Sequence, residues 1–294
     1  MKIKVPFHTK RAIPIVSDNI VSDFSKEQTQ VAIEKYQEVL KKWPFMLESF
    51  EKNIVTVRFM MFELMLIWVF FHEVSHHFQG HKILREYVSG ITESEKNKQQ
   101  QAREILADLQ AMDLTLAYLK RQSETIHTDT AYLLHCGLNL LFYTLHHRNK
   151  QLYSDQLGIL LDHPHPVLRA QFVRCAFITI MANHHDDPTT DSAAYEFLGL
   201  AVMSIKALHC ANIYWCMLQD KNEDDDLSIF MLQSSDLYYN ELNEEMIKLA
   251  EYIEAQHILI MDSKNNIDYD LEFLSQEVFD YFIRQVRNPP EIFF

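Results

Sequence analysis

A run of five residues carries the strongest chemical signal in the chain. His72 and His76 are separated by three residues, and Glu73 directly follows the first of them. On a helix, residues four apart lie one turn from each other and about 40° apart around the axis, so both imidazoles can bind one ion. Glu73 then points towards the place of a metal-bound water, where a carboxylate can take up a proton. The run is an HExxH motif and predicts a zinc-dependent hydrolase.

The motif alone is short enough to arise by chance. With 15 His and 41 acidic residues in 294, we expect on the order of 0.1 matches to HExxH or HDxxH in an unrelated chain. The competing interpretation is a polar helix end with solvated histidines. Further ligands are therefore needed to decide between the two.

Catalytic zinc takes three protein ligands and leaves a fourth position open. A third histidine in the pattern HExxHxxGxxH is excluded, because Gln79 and Lys82 occupy the Gly and His positions. The other source is a glutamate on a later helix, and Glu104 meets this requirement. Asp108 lies four residues on and on the same face, where it can accept the N–H of a ligand histidine. The small Ala107 between them allows two helices to meet there.

A third element alternates His and Pro before an arginine. It runs from His163 and Pro164 through His165 to Arg169. Proline cannot continue a helix, so a rigid turn is predicted that would hold an imidazole at a fixed distance from zinc. The pattern leaves open which histidine faces the site. It also leaves two roles for Arg169, bracing the loop or binding developing negative charge. A rigid turn with exposed histidines is the structural alternative.

In this order the three elements resemble the gluzincin metallopeptidases, which combine HExxH, ExxAD and a later HPxxxxR segment. The pattern occurs in the CaaX prenyl endopeptidases and HtpX-like peptidases, and in the Lit-type phage-exclusion peptidases of bacteria. The Lit type is the nearer resemblance, because its members are of similar length and place an apolar, tryptophan-containing helix before the motif, as Ile67 and Trp68 do here. The resemblance extends over about 54–174.

The resemblance implies a complete catalytic site. It comprises two histidine ligands, a glutamate ligand, a general base and a carboxylate that orients a ligand: His72, His76, Glu104, Glu73 and Asp108, respectively. His163 matches the His of the third segment and would stabilise the tetrahedral intermediate, with Arg169 at the matching Arg. His165 is an additional candidate, and Ala170 stands where Ile usually follows the Arg. Lit-type proteins are associated with phage defence by cleaving a host translation elongation factor.

The elements that position these residues are expected to be helices. Glycine is scarce, and no proline occurs between Pro44 and Pro164 or between Pro188 and Pro289. A short strand is predicted near 13–16, and a solvated polar linker from Thr92 to Arg103. Apolar residues with a period of 3.6 predict helices over 25–42, 54–78, 102–119, 130–147, 167–182, 193–218, 236–261 and 271–286. The expected fold is mainly α with at most a small β element, a zincin-like helical metallopeptidase.

The helix that carries the motif is unusually apolar. Phe59 to Phe71 contains one charged residue, Glu63, but spans only 13 residues, against about 20 for a membrane helix. A deeply buried core helix ending at Gly80 is predicted, without membrane insertion.

Composition excludes several function classes. A net charge of −14 with no basic stripe argues against nucleic-acid binding, and no Gly-rich loop for a nucleotide phosphate is present. The four cysteines form no CxxC pair, which favours a reduced intracellular protein. The first residues lack the apolar core of a signal peptide. A cytoplasmic protein is predicted.

We expect a single metallopeptidase domain over 1–294, with a catalytic core at 50–185 and a C-terminal helical region at 190–294. The predicted function is a zinc-dependent endopeptidase acting on a protein or peptide substrate, held inactive until an activating partner releases it. The alternative is a non-catalytic, zinc-stabilised sensor or interaction module, which has no need of Glu73. Among the remaining histidines, His77 and His81 are expected at the rim of the site and His146 in solvent.

Overall fold

The structure is a computed structural model that describes residues 54–81, 92–123, 126–148, 163–183, 199–200, 202–208, 210–211, 236–264 and 276–287. Of these residues, 94% are helical and none lies in a strand, which confirms a mainly α fold. The predicted strand near 13–16 and the predicted helix at 25–42 lie outside the described residues.

Six helices have complete bounds, and a further helical stretch covers 202–208. The predicted bounds 54–78 are confirmed, and the predicted helices 130–147 and 167–182 differ from the observed ones by one or two residues at each end. The six are α1 Ile54–Phe78, α2 Glu93–Ser123, α3 Thr128–Arg148, α4 Pro166–Asn183, α5 Asp236–Lys264 and α6 Gln276–Arg287.

The start of α2 corrects the prediction of a polar linker from Thr92 to Arg103, because this segment is helical from Glu93. Thr92 and Glu95 form a capping box. The backbone N–H of Glu95 donates to Oγ1 of Thr92 at 3.3 Å, and the N–H of Thr92 donates to Oε2 of Glu95 at 2.9 Å. The Thr-x-x-Glu signal is therefore present in the sequence, and the lack of apolar residues in these turns concealed it.

One side of α1 packs against α2 and α3, and the other is open to solvent. Trp68 is 1% exposed, whereas Phe59 and Phe70 are 66% and 62% exposed. The expectation of a deeply buried helix is therefore wrong for one face. An almost unbroken apolar run has no polar stripe to indicate which side meets the core.

Within the described residues, the part of α1 from Phe59 to Phe78 is long and apolar enough to cross a membrane, and 22% of this stretch is buried. Core helices of soluble proteins also meet this criterion of length and composition.

A single hydrophobic cluster includes residues from all six helices. The long helix α2 lies at its centre and packs against α1, α4 and α5. Gly137 of α3 allows a close approach to α1, since a Cβ at this position would lie 3.0 Å from the backbone oxygen of Met61. The end of α1 and the middle of α2, which carry the motifs, are thus fixed within the same core.

The structure describes three of the four cysteines, and all three lie in this core. Cys136, Cys175 and Cys210 are all buried. Burial raises the pKa of each thiol, so none of the three has the character of a reactive thiolate.

Candidate metal centre

Two helices supply the three candidate ligands. His72 and His76 lie on successive turns near the end of α1, and their Nε2 atoms are 3.0 Å apart. Both face Glu104 of α2, whose Oε2 lies 3.6 Å from Nε2 of His72 and 3.5 Å from Nε2 of His76. In the described part of the chain, these ligand atoms form a group that could hold a metal ion.

The separations of these three atoms match the dimensions of a zinc site. Tetrahedral ligands at about 2.0–2.1 Å from zinc lie about 3.3–3.4 Å from one another. The observed edges of 3.0, 3.5 and 3.6 Å surround that value. Two imidazoles and one carboxylate are also a donor set of catalytic zinc. The residues present therefore fit this ion.

A buried carboxylate and an arginine lie behind His72. Nδ1 of His72 is 2.8 Å from Oδ1 of Asp108, although its N–H does not point straight at that oxygen. Arg169 donates two hydrogen bonds to Asp108, from Nε to Oδ2 at 2.8 Å and from Nη2 to Oδ1 at 2.6 Å. Trp68 stacks on the His72 ring from the core side. A proton at Nδ1 leaves Nε2 of His72 free to bind a metal.

The charged groups of the cluster shift one another's pKa values. Burial opposes ionisation of Glu104, but the neighbouring imidazoles of His163, His72 and His76 hold the pKa of Glu104 well below its ordinary value. Burial also favours a neutral His72, but the charge of Asp108 raises the pKa of this ring to about 9. The metal-free cluster therefore holds a proton at neutral pH, which a metal ion must displace.

The His-Pro segment places one of its two histidines beside the ligands. Nδ1 of His163 lies 3.4 Å from Oε2 of Glu104, and the His163 side chain is 52% exposed. An imidazole that is both near a ligand and open to solvent can reach a bound substrate. The structure therefore brings His163 to the candidate ligand Glu104, and the role that the HPxxxxR pattern implies for His163 stays a prediction.

The second histidine of the segment serves the fold. His165 is buried, and its Nδ1 accepts the backbone N–H of Val167 at 3.2 Å, which caps α4 with Pro166 in the first helical position. Its ring packs against that of His146, with centroids 5.1 Å apart. His146 is buried too, so its expected position in solvent is wrong. The structure places His165 away from the solvent-exposed part of the site.

Arg169 braces a carboxylate of the site. The sequence left open whether Arg169 braces the loop or binds developing charge; in the structure its guanidinium is buried against Asp108 and lies 5.6 Å from the centre of the Phe142 ring. Through Asp108 it reaches His72. The guanidinium stabilises the orienting carboxylate by charge and by geometry.

Glu73 occupies the neighbouring position on α1. It follows His72 by one residue, and therefore lies about 100° around the helix axis from that ligand. Its side chain is exposed. The structure thus shows an exposed carboxylate one residue along α1 from a candidate ligand, and its role as a general base stays a prediction.

Two residues of the turn after α1 join the site although the spacing of known motifs does not include them. Gln79 donates from Nε2 to the backbone oxygen of Leu106 at 3.0 Å and to Oε1 of Gln110 at 2.8 Å. These bonds tie the end of α1 to α2. The helix that carries two ligands is thereby fixed to the helix that carries the third.

His81 is the second of these residues. It is buried, and its Nδ1 lies 2.6 Å from Nδ1 of His76, so its expected position at the rim is wrong. The chain after α1 folds back towards this helix because Gly80 adopts a φ of 63°. The sequence identifies Gly80 as the end of the helix. A glycine there commonly adopts a left-handed conformation that reverses the chain, and this was the available signal that His81 could turn back towards His76.

Comparison of the chain with family models, with curated proteins and with solved structures found no match.

Proposed function

We propose that the protein is a zinc-dependent endopeptidase. The observation that carries the proposal is the triangle of His72, His76 and Glu104, with the exposed carboxylate of Glu73 beside it. The resemblance to the gluzincin peptidases, and to the Lit type in particular, supports the same assignment through three ordered motifs. A bound zinc ion would polarise the scissile carbonyl and lower the pKa of the attacking water.

The residues of the chain supply the remaining steps. Glu73 removes a proton from the water while the oxygen of that water bonds to the carbonyl carbon. It then delivers the proton to the leaving amine when the C–N bond breaks. His163, exposed beside Glu104, donates to the oxygen that gains negative charge. Asp108 and Arg169 keep His72 oriented throughout. The products are a carboxylate and an amine.

The substrate is proposed to be a protein. By its resemblance to the Lit type, the chain would act in the cytoplasm in phage defence, cleave a host translation factor and be activated by a partner. The three motifs contain catalytic residues and none that recognises a substrate. The substrate and the activating partner are therefore proposed from the resemblance alone.

A non-catalytic zinc-stabilised module is the competing function. Such a module needs the three ligands but gains nothing from an exposed carboxylate between two of them. Glu73 therefore favours the peptidase.

The test compares new protein N-termini in cells that express the wild type, Glu73→Gln or His77→Gln. His77 is the matched control, since it is exposed on α1 one turn from Glu73. We expect a set of N-termini that appears with the wild type and His77→Gln and disappears with Glu73→Gln, while bound zinc stays unchanged. Identical sets for the wild type and Glu73→Gln would refute the peptidase and leave the zinc module.

A further inference from the structure

We propose that His81 is a positioning residue that fixes the tautomer and orientation of the ligand His76 through a hydrogen bond between their two imidazoles. The inference rests on the proposed zinc site. It assigns a role to a histidine outside the HExxH, ExxAD and HPxxxxR motifs.

The protons of the two rings can be assigned from their neighbours. Nε2 of His76 faces His72 and Glu104, whereas its Nδ1 lies 2.6 Å from Nδ1 of His81. A ligand nitrogen must be unprotonated, so the single proton of a neutral His76 lies on Nδ1. That N–H donates to Nδ1 of His81, which in turn carries its own proton on Nε2.

The same distances separate this role from that of a fourth ligand. Two nitrogens that bind one zinc ion lie about 3.3–3.4 Å apart, and 2.6 Å is too short for such a pair. The contact also involves Nδ1 of His76, whereas Nε2 is the atom that faces the other ligands. His81 therefore contacts the ligand ring and not the ion.

The surrounding turn holds His81 in place. Gly80 has a φ of 63° and reverses the chain, and Gln79 is hydrogen-bonded to α2 on the other side of the turn. His81 is 4% exposed, and within the described residues its Nε2 is buried without a hydrogen-bond partner. A buried nitrogen without a hydrogen bond costs free energy, which an apolar side chain would avoid. The hydrogen bond to His76 gives a reason for an imidazole at this position.

The two ligand histidines are consequently held by different groups. His72 has the carboxylate of Asp108 at its Nδ1, and His76 has a neutral imidazole. A carboxylate makes a ligand ring more electron-rich than a neutral acceptor does. With Glu104 already anionic, a neutral acceptor behind His76 limits the negative charge around the ion and so preserves its power to polarise a carbonyl.

The experiment measures zinc affinity of the full chain by competition with a chelator, and the visible spectrum of the cobalt-loaded protein. His81→Phe keeps a ring without an acceptor, and His81→Asn places an amide oxygen near the position of Nδ1. His77→Phe, on the exposed side of α1, is the matched control. We expect a loss of about 10–100-fold in affinity for His81→Phe, with a changed cobalt spectrum, as for other partners of ligand histidines. We expect His81→Asn to recover most of both.

Each outcome decides the proposal. Unchanged affinity and spectrum in His81→Phe would overturn it, and so would equal losses in the Phe and Asn variants, which indicate a packing role alone. If His81→Phe does not fold, His81→Ala takes its place beside His81→Asn under the same criterion. A wild-type protein that binds no zinc would instead overturn the proposed function, and with it this inference. Zinc binding by the wild type with no effect at His81 would leave the peptidase proposal standing.

Discussion

Replacing Asp108 with Asn separates the stability of the fold from the orientation of the metal ligand. Asp108 is 1% exposed, accepts two hydrogen bonds from the buried Arg169 and faces Nδ1 of His72. Removing one partner of a buried ion pair costs about 3–5 kcal/mol, because the other charge remains buried and uncompensated. We expect Asp108→Asn to lower the free energy of unfolding of the metal-free protein by that amount.

We expect the same substitution to weaken zinc binding for a different reason. Loss of the carboxylate that orients a ligand histidine lowers affinity by about 10–100-fold, which corresponds to about 1.4–2.7 kcal/mol. Adding Arg169→Met removes the uncompensated charge, so the double variant should recover much of the stability. It should not recover zinc affinity, since His72 still lacks the carboxylate.

Urea unfolding in the presence of a chelator measures the stability, and competition with a chelator measures the zinc affinity. Glu93→Gln is the matched control, because Glu93 lies on the same helix in an exposed pair with Lys96, and its loss should cost at most about 1 kcal/mol. The reasoning is refuted if Asp108→Asn costs no more than the control. It is also refuted if zinc affinity and stability return together in the double variant.

The remaining predictions concern pH, capping and solubility. Burial lowers the pKa of His135 and His165 to about 3, against 6.5 for an ordinary histidine, so both are neutral in the fold while the unfolded chain takes up protons below pH 6.5. The free energy of unfolding should therefore fall from pH 6.5 to 4.5 by up to about 1.4 kcal/mol per pH unit for each ring. Urea titrations at several pH values should show a smaller slope of this free energy against pH for His135→Gln than for the exposed control His127→Gln. Equal slopes would contradict the prediction. Thr92→Ala removes the cap of α2 and should cost about 1 kcal/mol, measured against Ser94→Ala in the same turn, and equal losses would argue against the capping box. The protein should remain in the aqueous phase without detergent, and a requirement for detergent would indicate that α1 enters a membrane.

The sequence predicted those parts of the fold that depend on local chemistry. The bounds of α1 followed from its apolar run and from Gly80, and Glu104 and Asp108 share a face because four residues make about one helical turn. The start of α2 was missed because its first turns are polar, although Thr92 and Glu95 carry a capping signal.

Other features depend on contacts that no local pattern contains. An apolar run does not specify which face meets the core, so the exposure of Phe59 and Phe70 required the positions of α2 and α3. The choice between His163 and His165 required the packing of α4 against α3. His81 was assigned to the rim because residue spacing counts along the chain, whereas the left-handed Gly80 turns the chain back on itself.

The most direct test of the account is X-ray absorption at the zinc edge of protein loaded with one equivalent of metal. The account predicts nitrogen and oxygen neighbours at about 2.0–2.1 Å, with the scattering of two imidazoles, and a changed pattern in Glu104→Gln but not in Glu93→Gln. Failure to retain zinc, sulfur neighbours at about 2.3 Å, or a spectrum that Glu104→Gln leaves unaltered would contradict it.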